Sequence, residues 1–133
     1  MPMIRQVAAL AVLTMLAACQ SREAPPAVSG KSAALRTMEQ VAIAAHRCWF
    51  ASKDAAFKPY RLANELNSFS GRPRFLLVPA KHPEGKPLLV VQAEGPAPNL
   101  EAFGPLMQEP LGTRIQDDLK RWAAGSSGCT AAA

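Results

Sequence analysis

Residues 75–91, which read FLLVPAKHPEGKPLLVV, form the centre of the predicted fold. It contains two apolar runs, residues 75–78 and 88–91, separated by a loop with Pro83 and Gly85. Short apolar runs bounded by turn residues are typical of strands, so the stretch predicts a β-hairpin. Neither run alternates with polar residues. Both faces of the sheet would therefore be apolar, and each face would need a cover.

The segment before the hairpin has the alternation of a half-exposed strand. Apolar residues occupy even positions, namely Tyr60, Leu62 and Leu66. The odd positions between them are mostly polar, namely Arg61, Ala63 and Glu65. Residues 67–72 then supply turn chemistry. We predict a third strand here, antiparallel to its neighbour in the hairpin.

Helical periodicity flanks the strands on both sides. From Ser32 to about Phe50, apolar residues recur at spacings of three and four: Leu35, Met38, Val41, Ala42, Ala45, Cys48 and Trp49. The hydroxyl of Ser32 suits an N-cap. A second helix is predicted from Thr113, as its cap, to about Ala124, with an apolar face of Ile115, Leu119 and Trp122. Gly125 and Gly128 follow it as stop signals. We expect residues 100–107, broken by Gly104 and Pro105, to be irregular.

These elements predict one α+β domain over residues 32–133. It has a small antiparallel three-stranded sheet, with the N-terminal and C-terminal helices packed on one face in the order α-β-β-β-α. The second sheet face would be covered by a partner molecule or by the aromatic loop around Trp49, Phe50 and Phe57. We favour the loop as the simpler cover.

The first residues have the features of an export signal. Arg5 precedes an apolar run at residues 7–16, which is too short to span a bilayer. The run ends in Leu16-Ala17-Ala18-Cys19, which resembles the lipobox of bacterial lipoproteins. That resemblance implies a signal peptide at residues 1–18, lipidation of Cys19, and acylation of the new amino terminus with a fatty acid such as palmitate.

The lipoprotein resemblance also implies a location in the cell envelope. The residue after the cysteine is Gln20 and not the aspartate of many inner-membrane lipoproteins, which favours the outer membrane, facing the periplasm. Residues 19–31, rich in proline and small residues, are expected to form a flexible tether. Residues 21–31 span at most about 36 Å when extended, so the folded domain would stay near the bilayer.

The chain has three cysteines, and lipidation of Cys19 would leave two with free thiols. Disulfides persist in the oxidising compartments that exported proteins enter. We therefore predict a bridge between Cys48 and Cys129. The alternative is a catalytic thiol at Cys48 with His46 as its base. Residues two apart on an α-helix point about 200° apart, which disfavours that pair.

Motifs for other chemistry are missing. The two histidines, His46 and His82, have no metal-ligand spacing, and Asp117 with Asp118 suits the start of a helix better than acid–base catalysis. No nucleophile or phosphate-loop motif occurs, so we expect no enzyme, no metal and no cofactor. The formal charge of +5 includes Arg5 of the leader, and the remaining +4 is spread along the chain. We expect no nucleic-acid partner.

The leading functional hypothesis is a non-enzymatic envelope lipoprotein that is held to the membrane by its lipid. It would bind another envelope component, most simply a protein, through an apolar sheet face or an irregular loop. The alternative is a small-ligand or glycan binder that uses Trp49, Phe50, Tyr60 and Arg72 around a groove between the sheet and the loop. The segment NELNSFSGRPR, residues 64–74, is the most surface-like stretch. The candidate partner-binding residues are Trp49, Phe50, Tyr60, Phe69, Arg72 and Arg74.

Overall fold

The computed structural model describes residues 30–67 and 70–130. Helix α1 (Ala33–Ala45) comes first, and helix α2 (Leu111–Ala123) comes last. Between them lie four strands, which are β1 (Tyr60–Glu65), β2 (Arg74–Pro79), β3 (Leu89–Glu94) and β4 (Asn99–Phe103). They form one antiparallel sheet in the order β1-β2-β3-β4.

The structure confirms the α+β class, the antiparallel sheet and the two helices, but the prediction of three strands was wrong. The segment expected to be irregular forms β4, followed by a 3₁₀ turn at Pro105–Gln108. Gly95, with a φ of 90°, lies in the turn that reverses the chain after β3. Pairing with β3 gives β4 the hydrogen-bond partners that an isolated five-residue segment lacks. The element order is therefore α-β-β-β-β-α.

Helix α1 begins where the sequence predicts, because the Ser32 Oγ accepts from the Leu35 N–H at 3.1 Å. It does not continue as an α-helix to Phe50. The chain widens into a π-helical turn at His46–Ala51, where the Ser52 N–H donates to the carbonyl of Arg47, five residues back. This turn buries Cys48 and Trp49 side by side.

Helix α2 begins two residues earlier than predicted, and Thr113 is not its cap. Pro110 occupies the N-cap position, without a side-chain cap. Gly112 lies so close to the Met107 carbonyl that a Cβ could not be accommodated, which ties the first turn of the helix to the preceding 3₁₀ turn. The predicted stop at Gly125 is confirmed. Gly125 has a φ of 104°, and the N–H groups of Gly125 and Ser126 donate to the carbonyls of Trp122 and Arg121 in a Schellman motif.

The core lies between the sheet and the helices. Its largest side chains, all under 2% exposed, include Trp49, Trp122, Phe57, Phe75, Met38, Leu77 and Leu89. Trp49 stacks on Phe57 at 4.6 Å between ring centroids and meets the edge of Phe75 at 6.4 Å. The aromatic loop therefore belongs to the helix side of the sheet. The prediction that this loop covers the second sheet face was wrong.

The predicted disulfide between Cys48 and Cys129 is present. It closes a covalent loop with a sequence separation of 81 residues, joining the π-helical turn to the segment after α2. The same segment is held by hydrogen bonds. The Trp122 indole N–H donates to the Gly128 carbonyl at 2.8 Å, and the Arg47 guanidinium donates to the carbonyl of Ser127.

Candidate functional site

The first candidate site is the sheet face opposite the core, which we call the outer face. Successive side chains of a strand point to opposite faces, so every second residue of the apolar strands lies here. The register aligns one apolar residue from each strand in a single row: Ala63, Leu76, Val90 and Phe103. With strands about 4.8 Å apart, this apolar row is about 14 Å wide.

The apolar row is accessible. Phe103 is 48% exposed, and Leu76 and Val90 are partly exposed. The two helices contribute their apolar residues to the core on the other side, so within residues 30–67 and 70–130 no helix covers the outer face. Among the described residues, the other large apolar side chain with substantial exposure is Ile43 on α1, at 64%.

A polar row runs beside the apolar row, again with one residue from each strand: Glu65, Arg74, Gln92 and Glu101. Glu65 and Arg74 form an ion pair at 2.5 Å between carboxylate and guanidinium. The Gln92 side-chain amide donates to the Glu101 carboxylate at 3.0 Å. The outer face therefore carries an apolar row beside a polar row of mixed charge, in which Gln92 is 8% exposed.

The second candidate site is a groove on the helix side, which we call the aromatic groove. It is an open concavity of about 390 Å³ lined by Trp49, Phe50, Lys53, Asp54, Phe57, Lys58 and Tyr60. Trp49 and Phe57 are fully buried and form the floor, whereas Phe50 and Tyr60 are partly exposed. The π-helical turn and the 3₁₀ turn at Ala55–Phe57 bring these side chains to the end of β1.

Asp54 closes one side of the aromatic groove. Its carboxylate accepts from the Ala56 N–H at 3.0 Å and from the Arg114 guanidinium on α2. The hydrogen bond from Arg114, followed by that from Ala56, lowers the pKa of Asp54 below its usual 3.8. Arg114 also lies over the Phe57 ring at 5.3 Å. Asp54 therefore stays ionised and engaged with the protein itself.

The Tyr60 hydroxyl stays neutral across the physiological range. Burial raises its pKa above 10.0, and the nearby Glu109 carboxylate raises it further. A neutral phenol both donates and accepts hydrogen bonds. Tyr60 can therefore contribute an aromatic face and a polar group to the same groove.

The structure brings some of the candidate partner-binding residues together and separates others. Trp49, Phe50 and Tyr60 surround the aromatic groove, but Trp49 is 1% exposed and its indole N–H donates to the Asp118 carboxylate at 2.8 Å. Arg72 pairs with Glu94 at 3.2 Å beyond the far end of β2 from Tyr60, so it does not border the groove. Arg74 belongs to the outer face.

Two predicted sites lie outside the described residues. These are the lipidation site at Cys19 and the aromatic residue Phe69, which follows β1 in the sequence. The predicted signal peptide and almost all of the tether also fall outside this part of the chain.

Several residues of the two sites were not predicted from the sequence. In the apolar row of the outer face, Leu76 and Val90 lie in the unbroken apolar runs, which contained the signal, because every second residue of such a run must face outward. Phe103 lies in the segment that was expected to be irregular, so no pattern marked it. The lysines that line the aromatic groove, Lys53 and Lys58, were not named either. No pattern in the sequence marks these two lysines.

The residues weighed for catalysis are not arranged for it. Cys48 is in the disulfide, and His46 is exposed on the other side of the π-helical turn. Over the described ranges, no cluster of three or more His, Cys, Asp and Glu side chains could hold a metal ion. In the same ranges, no helix has both the length and the apolar character needed to cross a bilayer.

Comparison with known proteins adds no relationship. No family model matches the chain, and neither a curated protein nor a solved structure shows significant similarity to it.

Proposed function

We propose that this protein is a non-enzymatic binding module, anchored to a bacterial envelope through a lipid on Cys19, whose outer face docks another envelope protein. The observation that carries the proposal is the uncovered apolar row of the outer face, with Phe103 48% exposed at its edge. Exposed apolar rows bordered by polar residues are typical of protein interfaces.

The chemistry of the outer face favours a protein over other partners. A small ligand needs a concave pocket, whereas this surface is one face of a sheet. An anionic membrane or a nucleic acid needs clustered positive charge, whereas the polar row combines Arg74 with Glu65 and Glu101. A sheet surface with an apolar row and mixed charges suits a protein surface with complementary charges.

A photo-crosslinking experiment tests the proposed interface in the intact cell envelope. A photoreactive phenylalanine analogue replaces Phe103 on the outer face or, as the matched control, Ile43 on α1. These are the two large apolar side chains with the highest exposure in the described ranges. We expect a discrete crosslinked product from position 103 and none from position 43.

The crosslinking result can contradict the proposal in two ways. Equal products from both positions would show non-specific contact with abundant envelope proteins. A product with twice the mass of the chain would show that the outer face pairs with a second copy. A specific product from position 103 should also weaken when Leu76→Ala removes a neighbouring side chain from the same row.

Intact-mass measurement tests the proposed anchor separately. The protein is exported by its own leader, alkylated under denaturing conditions and analysed with and without reductant. We expect a mature chain that begins at a lipidated Cys19, with Cys48 and Cys129 alkylated only after reduction. An unmodified Cys19 in the mature protein would overturn the anchor without bearing on the interface.

A further inference from the structure

We propose that the aromatic groove binds a saccharide that carries an anionic group, either a carboxylate or a phosphate. The groove lies on the helix side of the sheet. This inference therefore goes beyond the proposed docking function and does not depend on it. It rests on three features of the groove, which are its aromatic walls, its two lysines and its fixed backbone.

The aromatic floor and walls suit a sugar ring. Phe57 stacks on Trp49 with an angle of 9° between the rings, and Phe50 meets Phe57 edge-on at 6.0 Å between centroids. Phe50 and Tyr60 are only partly buried and so offer apolar surface to the C–H groups of a ring. The concavity of about 390 Å³ falls in the usual range for small-ligand sites, about 300–1,000 Å³.

The two lysines suit an anionic group. Lys53 and Lys58 line the groove, and within the described ranges neither forms an ion pair. Asp54, the carboxylate that also lines the groove, is already engaged by Arg114. Glu109 places negative charge near Tyr60. The lysine ammonium groups would therefore bind the anionic group of the ligand, and the Tyr60 phenol would bond to its hydroxyl groups.

The backbone holds Lys53 in place before any ligand binds. Lys53 has a φ of 57°, which is uncommon for a residue other than glycine. Its N–H donates to the Phe50 carbonyl at 2.9 Å, and the Ser52 hydroxyl bonds to the Cys48 carbonyl at 2.6 Å. A turn fixed in this way lowers the entropy that binding would cost.

The test is an NMR titration of the full mature protein in detergent micelles. N-acetylmuramic acid and N-acetylglucosamine form one pair of probes, which differ by a carboxylate-bearing substituent. Glucose 6-phosphate and glucose form the second pair and test phosphate. We expect amide shifts confined to residues 49–60, and binding at least about tenfold tighter for the acidic member of one pair, since a charge-assisted hydrogen bond is lost in the neutral sugar.

Matched lysine variants separate the groove from general positive charge. Lys53→Asn combined with Lys58→Gln removes both groove lysines, and asparagine tolerates the positive φ. Lys81→Gln combined with Lys86→Gln removes two exposed lysines from the loop between β2 and β3. We expect the first pair to abolish the preference for the acidic sugar and the second to leave it unchanged.

Three outcomes would overturn the inference. The first is the absence of shifts with all four sugars, and the second is equal binding of neutral and acidic sugars. The third is an equal loss of binding in both lysine pairs. Because the crosslinking at position 103 does not involve the groove, failure here is distinguishable from failure of the proposed docking function.

Discussion

The two faces of the sheet differ in how deeply their side chains are buried and in what those side chains contact. On the core face, Phe75 and Leu77 are fully buried against the helices. On the outer face, Leu76 is only partly covered, whereas Val78 is 5% exposed, and the polar residues bond to one another across the strands. The same two apolar runs supply both faces.

One sequence pattern therefore serves two purposes in this protein. The core face contributes most of the stability, because burial of apolar area drives folding. The outer face has apolar residues that folding leaves partly in water, and these remain available for a partner. Substitutions on the two faces should therefore separate stability from binding.

The largest expected effect on stability comes from removing the disulfide, which lies on the core side of the sheet. Replacing both Cys48 and Cys129 with alanine should lower the free energy of unfolding by about 4.5 kcal/mol, since the unfolded chain regains the entropy of a loop of 81 residues. Urea denaturation of the mature protein measures the change. Reduction of the wild-type protein should give the same midpoint. A loss below about 1 kcal/mol would contradict the entropic account.

The next largest effect on stability is expected from one of two adjacent leucines on β2. Leu77→Ala should cost about 3 kcal/mol, because it opens a cavity in the core, whereas Leu76→Ala on the outer face should cost about 1 kcal/mol or less. Urea denaturation measures both, and the crosslink from position 103 should weaken only in Leu76→Ala. Equal losses of stability would mean that the outer face is packed like the core.

A smaller effect depends on pH. The folded pKa of Asp54 is lowered by Arg114, so its stabilising contribution is complete above the usual pKa of 3.8 and is lost as the pH falls through the lower folded pKa. Asp54→Asn should therefore destabilise the protein at pH 7, by about 1 kcal/mol or less, and less at strongly acidic pH.

Urea midpoints of the wild-type protein and of Asp54→Asn at several pH values measure that contribution. Asp117→Asn is the matched control, because it removes an exposed carboxylate from α2 for which the described residues supply no ion-pair partner. A difference for Asp54→Asn that stays constant down to strongly acidic pH would contradict the ion pair with Arg114.

The smallest effect is expected in the polar row. Glu65→Gln breaks an ion pair with Arg74 whose side chains are 40% and 39% exposed. Solvent screens such a pair, so stability should change by a few tenths of a kcal/mol. Relative to the protein without Glu65→Gln, the crosslink yield from position 103 should change by a larger fraction than the urea midpoint. A loss above about 2 kcal/mol would show that the row supports the fold itself.

Local patterns predicted the parts of the fold that depend on neighbours in sequence. The Ser32 cap, the stop at Gly125 and the hairpin of β2 and β3 all follow from short-range chemistry. Strand β4 was missed because Gly104 and Pro105 favoured an irregular segment when only neighbouring residues were considered. The strand forms because it pairs with β3, which is a tertiary effect. The start of α2 was missed for a similar reason, the close approach of Gly112 to Met107.

The candidate sites were less predictable, since they depend on contacts across the chain. Trp49 seemed available for a partner, but Asp118 accepts its indole N–H from 69 residues away. Arg72 and Tyr60 seemed able to share a groove, but the β1–β2 register places them at opposite ends of the sheet. Side-chain types alone do not determine which of these contacts form.

The disulfide also determines how a mechanical load would pass through the molecule. A force applied from the side of residue 31 follows α1 to Cys48 and there divides between two covalent paths, one along the chain and one through Cys129. All four strands lie inside this closed loop. If a partner pulled on the outer face against the proposed membrane anchor, both arms of the loop would share the tension, and unravelling from that side would stop at Cys48.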